Sequence, residues 1–230
     1  MEIHENLTSV RQRVNDAARA AGRNPSEIKL LAVSKTMSAE IVRGAYEAGQ
    51  REFAENRVQE WLEKVTLLPE DCHWHIIGRL QRNKVKYLNS QISLIHSLDR
   101  MSLLEELEHQ GEIKGIIWPT LVQVNIAQDD NKAGIPENQV EDFLDAVALS
   151  KHIRVHGFMT IGALEANPEE TREFFRKLRQ LKERLQVKYF PNIELKELSM
   201  GMSRDFECAI QEGATMVRVG SQIFGQRKII

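Results

Sequence analysis

Short β-branched and apolar runs alternate along this chain with longer stretches in which apolar residues recur every third or fourth position. The short runs predict strands over residues 28–34, 52–54, 73–77, 92–95, 118–125, 154–160, 193–198 and 216–219. The longer ones predict helices over 39–48, 57–65, 80–87, 101–110, 137–150, 169–185 and 204–211, with one more over 2–21 ahead of the first strand. In that first helix Leu7, Val10, Val14, Ala17, Ala18 and Ala21 follow i, i+3, i+4 spacing, which gives it one face to bury. Strands joined in turn by helices predict an α/β fold, a single-domain (β/α)8 TIM barrel over residues 1–230, with the N-terminal helix filling the eighth outer position. An open doubly wound sheet is the alternative. The turn after the first strand reads S-K-T-M-S, however, and lacks the glycines that a dinucleotide pyrophosphate requires.

Composition narrows the function classes. Charged residues make up 28% of the 230 residues and the net charge is −2, so no bulk field favours nucleic acid or an anionic membrane. The most basic stretch, Arg79, Arg82, Lys84 and Lys86, fits a solvated helix face better than an RNA site. The N-terminus lacks the apolar core of a signal peptide, and no run approaches the roughly 18 apolar residues of a bilayer span, so a soluble, cytoplasmic protein is expected. The two cysteines, Cys72 and Cys208, form no C-x-x-C pair and are expected as reduced, buried thiols.

The run LLAVSKT, residues 30–36, ends an apolar strand on a lysine, Lys35. Chemistry in an eight-stranded barrel gathers at the C-terminal strand ends. A lysine amine held there, partly dry and among other cations, loses part of its preference for the charged form and can attack an aldehyde to form a Schiff base. The plainer alternative is a solvated lysine just past its strand. Barrel closure, which pairs the first strand with the last, weighs against that alternative. The last strand, MVRVG, carries Arg218, a buried cation in need of an acceptor. The acceptor is either a carboxylate, with Glu194 and Glu197 as candidates, or a ligand.

Gly220 and Ser221 follow in a small-residue turn whose amides can approach an oxyanion. SMGMSRD, residues 199–205, is a second such turn, in which Ser203 can open the next helix. Loops after the seventh and eighth strands are the usual phosphate site of this barrel. A phosphate there, an aldehyde on Lys35 and a pyridine nitrogen toward Arg218 together suit pyridoxal 5′-phosphate (PLP).

LLAVSKT, AENRVQE, HWHIIGRLQRNK, NIAQDDNKAGI and above all LSMGMSRDFECAIQEGATMVRVGSQIFG resemble the YggS/PROSC family of pyridoxal phosphate homeostasis proteins, over nearly the whole chain. The resemblance implies a barrel of the alanine-racemase N-terminal type that carries PLP as an internal aldimine on Lys35. It further implies that Ser203, Gly220 and Ser221 meet the phosphate, with Met202 in the same loop, and that Arg218 faces the pyridine nitrogen. Asn56 and His75 would lie near the ring, although Asn56 could equally be the N-cap of the next helix. Arg79 departs from the family pattern, which often has histidine or a smaller residue there.

An arginine at the pyridine nitrogen disfavours its protonation, and a neutral pyridine is a poor electron sink. The expected function is therefore non-catalytic: PLP storage, buffering or delivery to PLP-dependent apoenzymes, with indirect effects on amino-acid metabolism, by a protein expected to be a monomer. Two enzyme readings compete with it. A PLP-dependent racemase would need a second base. Because the chain ends about ten residues after the last strand, no added β-domain is expected to supply one, and Tyr46 and Tyr87 are expected in helices and Tyr189 in a connection. A Schiff-base aldolase would use Lys35 and the phosphate site without a cofactor. His73 and His75 have a metal-chelating H-x-H spacing, but no further strand-end ligands accompany them. The loop with Lys132 and Gly134 lies on the rim of Lys35, as either a hydrated loop or a gate.

Overall fold

The computed structural model describes residues 2–127, 133–162, 167–188 and 191–225. After α1 (Glu2–Ala20), the first half of the chain forms β1 (Lys29–Val33), α2 (Ala39–Glu47), β2 (Glu52–Glu55), α3 (Val58–Val65), β3 (His73–Ile76), α4 (Arg82–Val85) and β4 (Ile92–Leu98). Next come α5 (Met101–Lys114), β5 (Trp118–Asn125), a short β6 (Ile135–Pro136), α6 (Val140–Ala148), β7 (Ile153–Met159) and α7 (Pro168–Leu185). The chain continues through β8 (Ile193–Met202), α8 (Phe206–Gln211), β9 (Met216–Val219) and α9 (Ser221–Phe224). Among the described residues these strands form one parallel sheet in the order β4-β3-β2-β1-β9-β8-β7-β5-β6, and a β4–β5 pairing closes it. With β6 outside on β5, the other eight strands make a (β/α)8 barrel.

The alternation of side chains along parallel strands divides the core in two. Leu31, Val33, Ala54, Leu94, Leu121, Met159 and Met216 fill the barrel. Their alternating neighbours, among them Ala32, Phe53, Trp74 and Val217, join the larger cluster between strands and helices. Leu7, Val10, Val14, Ala17 and Ala18 of α1 are buried, and the helix packs on α2, α8 and α9, which covers the β9–β1 side as its periodicity predicts. Helix α7 starts in a capping box of Asn167 and Glu170. Helix α5 stops at Gly115, which takes the left-handed conformation at φ 65°.

Several bounds differ from expectation, each for a local reason. The helix expected over 80–87 spans only Arg82–Val85, because Leu80 and Leu88 are buried from the flanking loops. Tyr87 accordingly stands beyond that helix rather than in it. The turn expected over 199–205 is strand as far as Met202: Gly201, at φ 89°, absorbs a register shift between Ser199 and Met202 while pairing with β9 continues. The Glu137–Gln139 turn ahead of α6 is a 3-10 helix.

Cys72 is buried and Cys208 half-buried, both free thiols, and desolvation pushes the Cys72 thiol up to about 11, which makes it inert. No helix among the described residues is long and apolar enough to cross a membrane.

Candidate functional site

Lys35 is half-buried two residues past the end of β1, in phase with the barrel-lining Leu31 and Val33. Both peptides that flank it are held by α3. On one side, Lys64 Nζ donates to the Ser34 carbonyl at 2.8 Å and to Glu55 Oε1 at 2.6 Å. Ser34 Oγ donates to the same carboxylate oxygen at 2.6 Å. On the other side, the Thr36 amide donates to Glu60 Oε2 at 2.6 Å, with Thr36 itself at φ 65°. A threonine in the left-handed region is strained, and surrounding contacts must hold it there. The Lys64–Glu55 pair is almost wholly enclosed, and Glu55 Oε2 has no partner among the described residues. Desolvation pushes the Glu55 carboxyl up although Lys64 pulls the other way.

Arg218 on β9 is buried and points along the barrel interior. Its guanidinium donates to Ser199 Oγ at 2.7 Å and to the Thr160 carbonyl at 2.9 Å. The carboxylate partners weighed from sequence do not meet it: Glu197 pairs with Lys29 and Thr215, and Glu194 with Lys196. Those glutamates lie toward the N-terminal ends of the strands, on the other side of the barrel from the site. Desolvation pushes Arg218 down to about 10, partly offset by the Asp205 charge, so it remains a cation at neutral pH. From Ser199 the contacts continue down the barrel. Ser199 Oγ meets His96 Nδ1 at 2.9 Å, and His96 Nε2 meets His75 Nδ1 at 3.0 Å. His75 Nε2 meets Glu52 Oε2 at 2.8 Å, and Glu52 Oε1 takes His73 Nδ1 at 2.9 Å. His75, expected near a cofactor ring, is thus separated from Arg218 by His96 and Ser199.

The two loops expected to cradle a phosphate do come together. The Gly220 amide donates to Ser203 Oγ at 3.4 Å, and the Ser203 and Ser221 hydroxyls are 3.4 Å apart. Gly220 packs so closely on β1 that a Cβ there would lie 3.1 Å from the Val33 carbonyl oxygen. This contact sets the Ser203–Gly220–Ser221 cluster beside the strand that ends in Lys35. Met202 is half-buried in the same stretch and is in register with Arg218. Ser203 does not cap α8; the cap position is Asp205, whose carboxylate instead accepts from the Met202 amide at 2.6 Å. Asn56 follows β2 at the same mouth, half-buried, and the cap of α3 is Arg57 rather than Asn56. Gly78 presses on it, since a Cβ at that position would come within 2.3 Å of the Asn56 carbonyl oxygen. Arg79 pairs with Asp99 at 3.2 Å. Lys132, part of the suggested gate, and Tyr189 lie outside the described residues.

Sequence reasoning missed His96, Ser199 and Glu52, as well as the Glu55–Lys64 pair. His96 follows Leu94 at strand period two, but a strand ended at residue 95 excludes it. Ser199 fell in a segment expected to be a turn. Lys64 looks like any lysine on an amphipathic helix, and only packing of α3 on β1 and β2 shows it is buried.

Comparison with known proteins gives the family and the fold. The family model described as "Alanine racemase, N-terminal domain" matches residues 6–228. The pyridoxal phosphate homeostasis protein of Aquifex aeolicus is 43% identical over 229 residues, covering 99% of this chain and 100% of its own. Among solved structures, PipY of Synechococcus elongatus with PLP bound is 37% identical with a TM-score of 0.85, covering 97% of this chain and 100% of its own. The alanine racemase of Bartonella henselae, at 14% identity and a TM-score of 0.69, covers 98% of this chain and 60% of its own, and shares the fold alone.

Proposed function

The chain belongs to the alanine racemase N-terminal-domain family, and from that premise we propose that it is a PLP-binding homeostasis protein. It holds PLP for storage, buffering or delivery, acts on amino-acid metabolism only indirectly, and is not itself an enzyme. The observation that carries this reading is the meeting, at one barrel mouth, of Lys35, the Ser203–Gly220–Ser221 cluster and a buried guanidinium whose two acceptors among the described residues are both uncharged.

Bound PLP supplies an aldehyde for an amine, a phosphate for hydrogen-bond donors and a pyridine nitrogen for a ring-edge partner. In our reading Lys35 provides the covalent attachment, and Ser203, Gly220 and Ser221 bind the phosphate, with Met202 beside them. Asn56 borders the ring, Arg218 faces the pyridine nitrogen, and His75 acts through His96 and Ser199. A cation at that nitrogen opposes its protonation and so suppresses the electron withdrawal on which carbanion chemistry depends. This supports carriage over turnover.

The same reading extends to one PLP-binding domain over residues 1–230, a cytoplasmic location, PLP-dependent apoenzymes as recipients, and a monomer. What supports the monomer is that exposed apolar residues such as Leu67, Ile113, Leu149 and Val187 stand on different helices or their ends.

The test is the visible spectrum of the purified protein before and after borohydride reduction, with mass mapping of the labelled peptide. Lys35 should carry the reduced adduct, and Lys35→Ala should remove the visible band while circular dichroism stays native. A colourless protein that stays unlabelled after incubation with PLP would sink the reading and favour the cofactor-free aldolase. Proton exchange at the α-carbon of candidate amino acids separates a racemase.

A further inference from the structure

The contacts from Arg218 to Glu52 admit one consistent set of proton positions. Arginine only donates, so Ser199 Oγ accepts from Arg218 and its own proton must go elsewhere. His96 Nδ1, at 2.9 Å, can accept it. His96 is then protonated on Nε2 and donates to His75 Nδ1, and His75 is protonated on Nε2 and donates to Glu52. The opposite direction would set an unprotonated His75 nitrogen against the Glu52 carboxylate and leave a fully buried serine hydroxyl with no acceptor among the described residues. Every link therefore points from the cation at the C-terminal mouth to the anion at the other end.

Charges agree with this direction. Burial, with His75, Arg218 and Lys29 nearby, holds His96 well below the usual imidazole range. Burial also lowers His75, against the pull of Glu52 and with Lys29 and His73 adding to the lowering. Both shifts favour the neutral ring. Burial alone would raise Glu52, but the hydrogen bonds from His75 and His73 hold it down to about 2. The far end opens into a cavity of about 300 Å³ at the N-terminal mouth, lined by Lys29, Glu52, His73, His156 and Glu197 among others.

We infer that Glu52, His75, His96 and Ser199 are positioning residues: a one-directional hydrogen-bond relay through the barrel connects Arg218 to Glu52 and fixes how that guanidinium faces the cofactor. The inference about PLP rests on the function proposed above, whereas the direction of the relay does not. Its consequence is that a site at the N-terminal mouth, open to solvent through His73, tunes PLP binding at the opposite mouth.

Nitrogen-15 spectra of histidine in the cofactor-free protein read the tautomers directly. His75 and His96 should both carry the proton on Nε2 between about pH 6 and 8. A proton on His96 Nδ1, or averaging between tautomers, would overturn the relay. In PLP binding, Ser199→Ala should weaken affinity about tenfold, as loss of a bond to a charged donor does, and Ser199→Thr should restore it. Glu52→Gln keeps an acceptor but drops the charge, and should weaken PLP and move the pH profile of the visible band. Unchanged affinity and spectrum in Glu52→Gln, with Arg218→Lys altering both, would reduce the chain to barrel filling. If Arg218→Lys also changed nothing, the placement of PLP would fail instead, and the tautomers would still decide the relay.

Discussion

Lys64 stands 3% exposed with its amine on Glu55 and on the carbonyl next to Lys35. A buried ion pair gives little net stability over a well-packed apolar pair, but removal of one partner strands the other charge in a dry place. Lys64→Met should therefore cost about 3 to 5 kcal/mol in denaturant unfolding. The loss should deepen with pH. Desolvation already raises Glu55 above its ordinary 4.5, and without Lys64 the folded value rises further. A carboxyl whose folded pKa exceeds its unfolded one binds more protons when folded, so stability falls as pH rises past 4.5. The double replacement of Glu55 and Lys64 by methionine should recover most of the loss and flatten the pH dependence. A single variant as stable as the parent at pH 8 would show that the pair does not hold the Lys35 peptide in place.

At the level of elements, the site depends on how closely neighbouring strand ends approach. Gly78 follows β3 against the backbone of Asn56, and an added methyl would stand 2.3 Å from the Asn56 carbonyl oxygen, where no flexible side chain can yield. Gly78→Ala should destabilise by about 1 to 3 kcal/mol as an overpacked contact and weaken PLP binding by displacing the β2 tip. Thermal unfolding and PLP titration of this variant separate the two effects, and unchanged affinity would remove Asn56 from the site. Strand bounds were legible in β5 and β9, whose limits match the apolar runs 118–125 and 216–219 even with Arg218 inside. They were not legible where polar residues carry a strand past the end of its apolar run. His96 extends β4, and Ser199 lies within β8, because partners on other strands satisfy them, and a one-dimensional pattern contains no partners.

At the scale of the whole molecule, α1 ties the start of the chain to the elements that carry the C-terminal site. Asn6 donates to the Ile223 carbonyl at 3.2 Å, and Arg13 bonds Glu207 on α8 and Gln222 on α9. Leu7 is fully buried in α1. Leu7→Ala should cost about 2 to 5 kcal/mol and, because α9 begins at Ser221, should weaken PLP binding as well. A variant that loses stability but binds PLP unchanged would show that α1 supports the barrel without tuning its mouth. The sequence by itself determined the barrel, the outer place of α1 and the nearness of Lys35, Arg218 and the 220–221 turn, because the order of alternating strands and helices specifies the barrel and its closure sets the last strand beside the first. Tertiary structure alone decided what each buried polar group meets. Arg218 takes a serine and a carbonyl instead of a glutamate, His75 faces Glu52 and His96, and Lys64 enters the core, since hydrogen-bond partners tens of residues apart are chosen by three-dimensional packing.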